Sequence, residues 1–201
     1  MKTAKYFLPL LLSLLFGSSW AATDNHPAQQ RVESSVNGIF NTLQKESDRL
    51  KADPEYQKEV VTKYVVPYLD FVGMTKLAVG KNWRKGSEQQ KKILTEEFKA
   101  LLLRTYTKAL AEYSDQAIKF KPFRAGKRAD RAIVYADILQ KSGPLIPMKF
   151  RLRQLQDQWL VYDIAIDGIS LVTTYRSSFS NEINSTGIDG LIASLAKKNS
   201  G

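Results

Sequence analysis

Residues 159–179, WLVYDIAIDGISLVTTYRSSF, change their apolar period within a few positions. Over 160–166, Leu160, Tyr162, Ile164 and Ile166 fall on one face and Val161, Asp163 and Ala165 on the other, the period of two of a half-buried strand. After Gly168 the spacing lengthens: Leu171, Val172, Tyr175, Phe179 and Ile183 recur at three- and four-residue steps. That spacing predicts an amphipathic helix turning back across the preceding strand. A sheet and a helix meeting at such a corner enclose apolar space, so the expected class is α+β.

Upstream, short alternating runs are separated by turn chemistry at 122–130, at KSGP (141–144) and at 156–158. They predict strands at 117–120, 132–139, 145–155 and 158–166, a twisted four-stranded antiparallel meander. In the third strand Met148, Phe150 and Leu152 alternate with Lys149, Arg151 and Arg153. Pairing the last two strands about Asp157 sets Phe150 opposite Ile164, Leu152 opposite Tyr162 and Arg151 opposite Asp163. On this register Asp163 is a surface partner of Arg151. Helices at 169–184 and 188–197 complete the chain.

The first half of the chain is helical. Val32, Val36, Ile39, Phe40, Leu43 and Leu50 share a stripe over 28–51. Asp53-Pro54 caps and opens the next helix, Asp70 caps a third that Gly80 closes, and SEQQ at 87–90 has capping-box spacing before a helix running to Tyr113. Helices to about residue 113, the sheet over about 117–166 and the last helices over about 169–197 read as one domain.

The first 22 residues, MKTAKYFLPLLLSLLFGSSWAA, join a lysine-bearing start to a short apolar run and small residues. This predicts a secretory signal peptide over 1–21, cut after Ala21, and a mature domain over 22–201. The formal charge of the 201-residue chain is +10; loss of Lys2 and Lys5 leaves 28 of its 30 basic residues against 20 acidic ones, or +8. Such a balance suits anionic headgroups or an acidic protein partner, and export argues against nucleic acid. With no cysteine the fold stands without disulfides, as the bacterial periplasm permits.

Catalytic patterns are nearly missing. The single histidine, His26, falls in the lead before the first helix, where no scaffold would position it, and without cysteine this excludes thiol nucleophiles, common zinc sites and Ser-His triads. There is no phosphate loop and no GxSxG elbow; Glu96-Glu97 reads as the exposed face of a capped helix. What stands out is large apolar and amphipathic surface, with Phe71, Trp83, Phe98, Tyr106, Tyr113, Phe150, Tyr162, Tyr175 and Phe179 converging on one sheet face. Bulk core explains most of it, and the surplus suits a cavity.

The pieces VVPYLDFVGMTKLAVGKNWRKGSEQQKKILTEEFKALL (65–102), WLVYDIAIDGISLVTTYRSSF and GIDGLIASL (187–195) resemble the MlaC family of periplasmic phospholipid-binding proteins, also known as toluene-tolerance proteins. The resemblance covers nearly all of the mature chain. It implies an NTF2-like fold with helices packed over the sheet around an apolar lipid cavity, and it places Trp83, Tyr106, Phe150, Tyr162, Ile164, Ile169, Leu171 and Tyr175 along or beside that cavity. Phe71, Phe98, Leu102, Met148 and Val172 complete the expected lipid-binding set. Lys81, Arg84, Lys85 and Arg176 are candidates for headgroup contact or docking. The implied partners are phospholipid as cargo, an outer-membrane lipoprotein complex and an inner-membrane ABC transporter with an MCE-domain ring. The expected protein is a monomeric periplasmic glycerophospholipid carrier that maintains outer-membrane lipid asymmetry, without cofactor, metal or enzymatic activity. Two rival readings are an NTF2-like enzyme using a buried carboxylate on the cavity face, and an interaction module or chaperone with an open groove.

Overall fold

The computed structural model describes residues 26–112, 117–140 and 142–200, with 108–112 given as backbone only. The expected signal peptide and Tyr113 lie outside the described residues.

The first half folds as helices α1 (Pro27–Lys45), α2 (Ser47–Ala52), α3 (Pro54–Tyr64), α4 (Phe71–Val79) and α5 (Glu88–Glu112). Local chemistry explains their ends. Asp53 accepts from the Tyr56 N–H at 3.0 Å with Pro54 at the first helical position, and Asp70 accepts from the Gly73 N–H at 2.8 Å. At α5 the capping box closes in both directions: Gln90 N–H donates to Ser87 Oγ at 3.1 Å and Ser87 N–H to Gln90 Oε1 at 2.9 Å. The single helix expected over 28–51 is instead two, broken at Glu46, which has left helical geometry. Gly80 does end α4 with positive φ, yet the chain continues as a 3-10 turn, Gly80–Lys85.

His26 is not part of an unanchored lead. Its Nδ1 accepts from the Ala28 N–H at 3.2 Å as the α1 cap, and its ring stacks on Phe123 at 3.9 Å and meets Trp159 edge-on at 5.4 Å. Burial there lowers its pKa from the ordinary 6.5.

The sheet is an antiparallel meander of β1 (Ala117–Phe120), β2 (Arg131–Leu139), β3 (Ile146–Leu155), β4 (Gln158–Ile166) and a two-residue β5 (Ile169–Ser170), in that spatial order. The fifth strand is the first correction to the expected four. The helix expected from residue 169 begins only at α6 (Arg176–Asn199), after a 3-10 turn at Thr173–Tyr175. The break expected near Gly187 is present, since that glycine has φ 76° and ψ −177° inside α6 and divides it into two segments.

The second correction concerns register. β3 and β4 join through a two-residue turn, Gln156 and Asp157, both left-handed, so Leu155 faces Gln158 and Leu152 faces Val161. A bulge then shifts the ladder by one, leaving Tyr162 unpaired, and beyond it Arg151 faces Asp163 and Phe150 faces Ile164. The expected pairing therefore holds above the bulge, while Leu152 opposite Tyr162 does not. Side-chain parity inverts at Tyr162: Ile164 and Ile166 share a face with Val161 and Trp159, and Tyr162 turns to the opposite face, under Arg131 at 5.5 Å.

Two apolar clusters sit on either side of this corner. Ala28, Val32 and Val36 of α1 pack on Ala132, Val134, Phe150, Leu152, Trp159 and Val161 of the sheet. Met74, Ala78, Phe98, Val172, Phe179 and Leu195 join α4, α5 and α6, with the Phe98, Tyr175 and Phe179 rings in mutual contact. Burying a side chain the size of Phe98 contributes about 1.5–3 kcal/mol.

Candidate functional site

Between α1 and the sheet the packing leaves an apolar cavity of about 280 Å³. The sheet supplies its floor: Ile118, Ile138, Ile146, Met148, Phe150 and, above the bulge, Ile164 and Ile166, with Val161 below it. One wall is the apolar stripe of α1 from Val32 to Leu43, continued by Val61, Val65 and Tyr68. Phe71 and Met74 of α4, Leu102, Leu103, Tyr106 and Thr107 of α5, and Leu171 close the far side. The stripe on α1 repeats every three or four residues because that period aligns side chains on one helix face, and here the face meets space as well as sheet.

The lining contains no charged side chain and no histidine among the described residues. Its polar groups are few. Ser35 is satisfied by donating to the Tyr64 carbonyl at 2.5 Å, and burial, aided by the neighbouring Tyr175 phenol, pushes the Tyr106 hydroxyl up to about 12. Arg31 lies outside the lining but braces it: its guanidinium stacks 4.2 Å above the Tyr68 ring and donates to the Pro67 carbonyl at 2.8 Å. Among the described residues no three His, Cys, Asp or Glu side chains gather as a metal-binding group.

Asp163 departs from its expected place. It lies on the sheet face opposite Ile164, as the register requires, but it has no exposed surface and is not a surface residue. Arg151 Nη1 donates to it at 3.2 Å and Ser170 Oγ at 2.6 Å; the Ser170 oxygen in turn accepts from the Thr173 N–H at 3.0 Å. The sequence pattern missed this burial because β5 and the turn after it fold over the end of the strand. A second buried carboxylate, Asp70, pairs with Arg153 on the same sheet face. Neither carboxylate lines the cavity.

Of the thirteen residues expected to hold lipid, the structure brings Phe71, Leu102, Tyr106, Met148, Phe150, Ile164 and Leu171 to the cavity wall. It places the other six elsewhere. Phe98 and Val172 are fully buried in the helical cluster, Trp83 and Tyr175 pack against that cluster, Tyr162 is carried to the opposite sheet face by the bulge, and Ile169 is 62 % exposed on β5. The α1 and α3 contributions were not singled out, because a helical stripe reads the same whether it meets core or cavity. Lys81, Arg84 and Lys85 are exposed on the 3-10 turn, and the exposed Arg176 opens α6, its guanidinium beside Gly80, where an added Cβ would come within 3.0 Å of it. These four cations form one corner and none lines the cavity.

The comparisons agree with this architecture. A family model described as MlaC protein matches residues 33–197. Toluene tolerance protein ttg2D of Pseudomonas putida is 26% identical over 175 residues, covering 83% of this chain and 80% of its own. The intermembrane phospholipid transport system binding protein MlaC of Haemophilus influenzae is 23% identical over 167 residues, covering 82% and 78%. A solved phospholipid-binding protein from Ralstonia solanacearum, in complex with a phospholipid, superposes with a TM-score of 0.77 at 30% identity, over 87% of this chain and 98% of that one.

Proposed function

The chain belongs to the MlaC family, and from that premise we propose that it is a periplasmic carrier of glycerophospholipid. The observation that carries the reading is the cavity of about 280 Å³, with no charged side chain in its lining among the described residues. Each acyl methylene taken out of water is worth about 0.8 kcal/mol, whereas an anionic phosphodiester is costly to bury without a partner. Acyl chains therefore enter and the headgroup stays at the opening. The phospholipid held by the Ralstonia relative supports the same cargo class.

In this reading residues 22–201 act as one lipid-binding domain after export, and no helix of the described residues is long and apolar enough to cross a membrane. A bilayer offers acyl chains a gain comparable to the cavity's, so the carrier keeps lipid soluble in transit and sets no direction. Direction comes from its partners, an outer-membrane lipoprotein complex and an inner-membrane ABC transporter with an MCE-domain ring, and the transfer maintains outer-membrane asymmetry. The corner of Lys81, Arg84, Lys85 and Arg176 serves docking in this scheme, since none of the four lines the cavity. Among the described residues the wall offers no carboxylate for an acid–base reaction, which favours a carrier over an enzyme.

Native mass spectrometry of protein purified from membrane-containing cells tests the proposal. A stoichiometric diacyl phospholipid is expected. Protein that carries none, and takes none up from phospholipid vesicles, would overturn it.

A further inference from the structure

Between Lys121 and Asp130 the chain leaves the sheet edge and returns, and this excursion encloses a second groove of about 780 Å³ against β2. Lys121, Arg124, Lys127 and Arg128 line it, together with Ile133 and Tyr135, which are 39% and 41% exposed. Lys121 is held by Asp137 at 2.9 Å and Arg128 by Asp130 at 2.8 Å, whereas Arg124 and Lys127 have no ion-pair partner among the described residues.

The backbone beside these cations is open. β1 pairs only with the stretch of β2 from Ala136 to Leu139, and the Lys121 N–H then donates to the Tyr135 carbonyl at 2.9 Å. In an antiparallel strand alternate residues turn both backbone groups to the same edge. Ile133, two residues from Tyr135, therefore aims its N–H and C=O past the end of β1 into the groove, and among the described residues no hydrogen bond reaches either group. Unpaired main-chain groups at a sheet edge are a template for an added strand, and neighbouring free cations select the charge of that strand.

We propose that this groove docks an extended acidic segment of a partner protein, which adds a short strand beside Ile133 and sets its carboxylates against Arg124 and Lys127. The formal charge of +8 that remains without Lys2 and Lys5 attracts such a partner at long range, and the open edge fixes its register. The docking surface is separate from the cavity and stands without the carrier reading.

A fluorescein-labelled peptide of alternating glutamate and valine, titrated into the full mature protein, tests this. Saturable binding is expected, with the Ile133 amide among the most shifted signals in a ¹⁵N–¹H spectrum. The double variant Arg124→Glu, Lys127→Glu weakens binding at least about tenfold, a loss of about 1.4 kcal/mol, and leaves melting temperature and bound lipid unchanged. A peptide of the same charge, N-methylated at alternate residues, loses binding to the wild-type protein, a result that does not depend on any variant folding. Equal binding of the N-methylated peptide, an unmoved Ile133 amide, or no binding would each overturn the proposal. So would inorganic phosphate or phosphatidylglycerol vesicles engaging Arg124 and Lys127 where the peptide does not.

Discussion

Ser170 Oγ donates to the buried Asp163 carboxylate at 2.6 Å, and through this bond the turn after β4 is tied to the outer face of the sheet. The same turn delivers Leu171 to the cavity, where its N–H donates to the Ile164 carbonyl at 2.8 Å. A charge on one face of the strand thus holds a piece of apolar wall on the other.

Removing that charge destabilises the fold. Asp163→Ala leaves the Ser170 hydroxyl and Arg151 without their acceptor, at a cost of about 1–3 kcal/mol. Arg151→Ala costs less, because Arg151 is 37% exposed and water already competes for it. Urea denaturation of Asp163→Ala, Ser170→Ala and the double variant gives the coupling directly; additive losses would remove the tether.

The start of α1 weakens in mild acid. His26 caps that helix through unprotonated Nδ1, and burial holds its pKa below 6.5. The unfolded chain therefore takes up the proton first as pH falls, so the contribution of His26 is complete above about 6.5 and is lost as pH drops through the lower folded value. Thermal melts over this range decline more steeply for wild type than for His26→Asn, whose cap does not titrate; parallel profiles would refute this.

Filling the cavity displaces cargo. Ile164→Trp narrows the space from the sheet side, with an overpacking cost of about 1–3 kcal/mol. Ile169→Trp, on an exposed position away from the wall, is the control. Lipid recovered per folded protein falls severalfold for the first and is unchanged for the second, as measured by mass spectrometry of the extract.

The capping box of α5 carries a measurable share of stability. Ser87→Ala removes the acceptor for the Gln90 N–H and costs about 1 kcal/mol. The loss reads as a shift in denaturation midpoint with an unchanged slope.

Much of this architecture is legible in the residues. Asp53-Pro54, Asp70 and SEQQ announce helix starts because their side chains satisfy backbone donors that a helix leaves free, a local need with a local signature. The Arg151–Asp163 pairing is likewise readable from alternation. The bulge is not, since Tyr162 is a good strand residue and carries no glycine-like mark. Nor does periodicity separate Phe98, which is wholly buried among helices, from Tyr106, two turns later, which faces the cavity. The same helical stripe serves both, and only the distance to the opposing layer distinguishes them.

The unpaired residue in β4 is also what keeps Val161 and Ile164 on one face although three positions separate them. Tyr162 itself sits beneath Arg131 and beside Gly73 of α4. Unbroken alternation through Tyr162 would instead set Ile164 and Ile166 on the face opposite Val161 and Trp159, and would send one pair or the other from apolar surroundings to the wet side of the sheet. One apolar face of β4 is thus drawn from positions that plain alternation would divide between the two sides of the sheet.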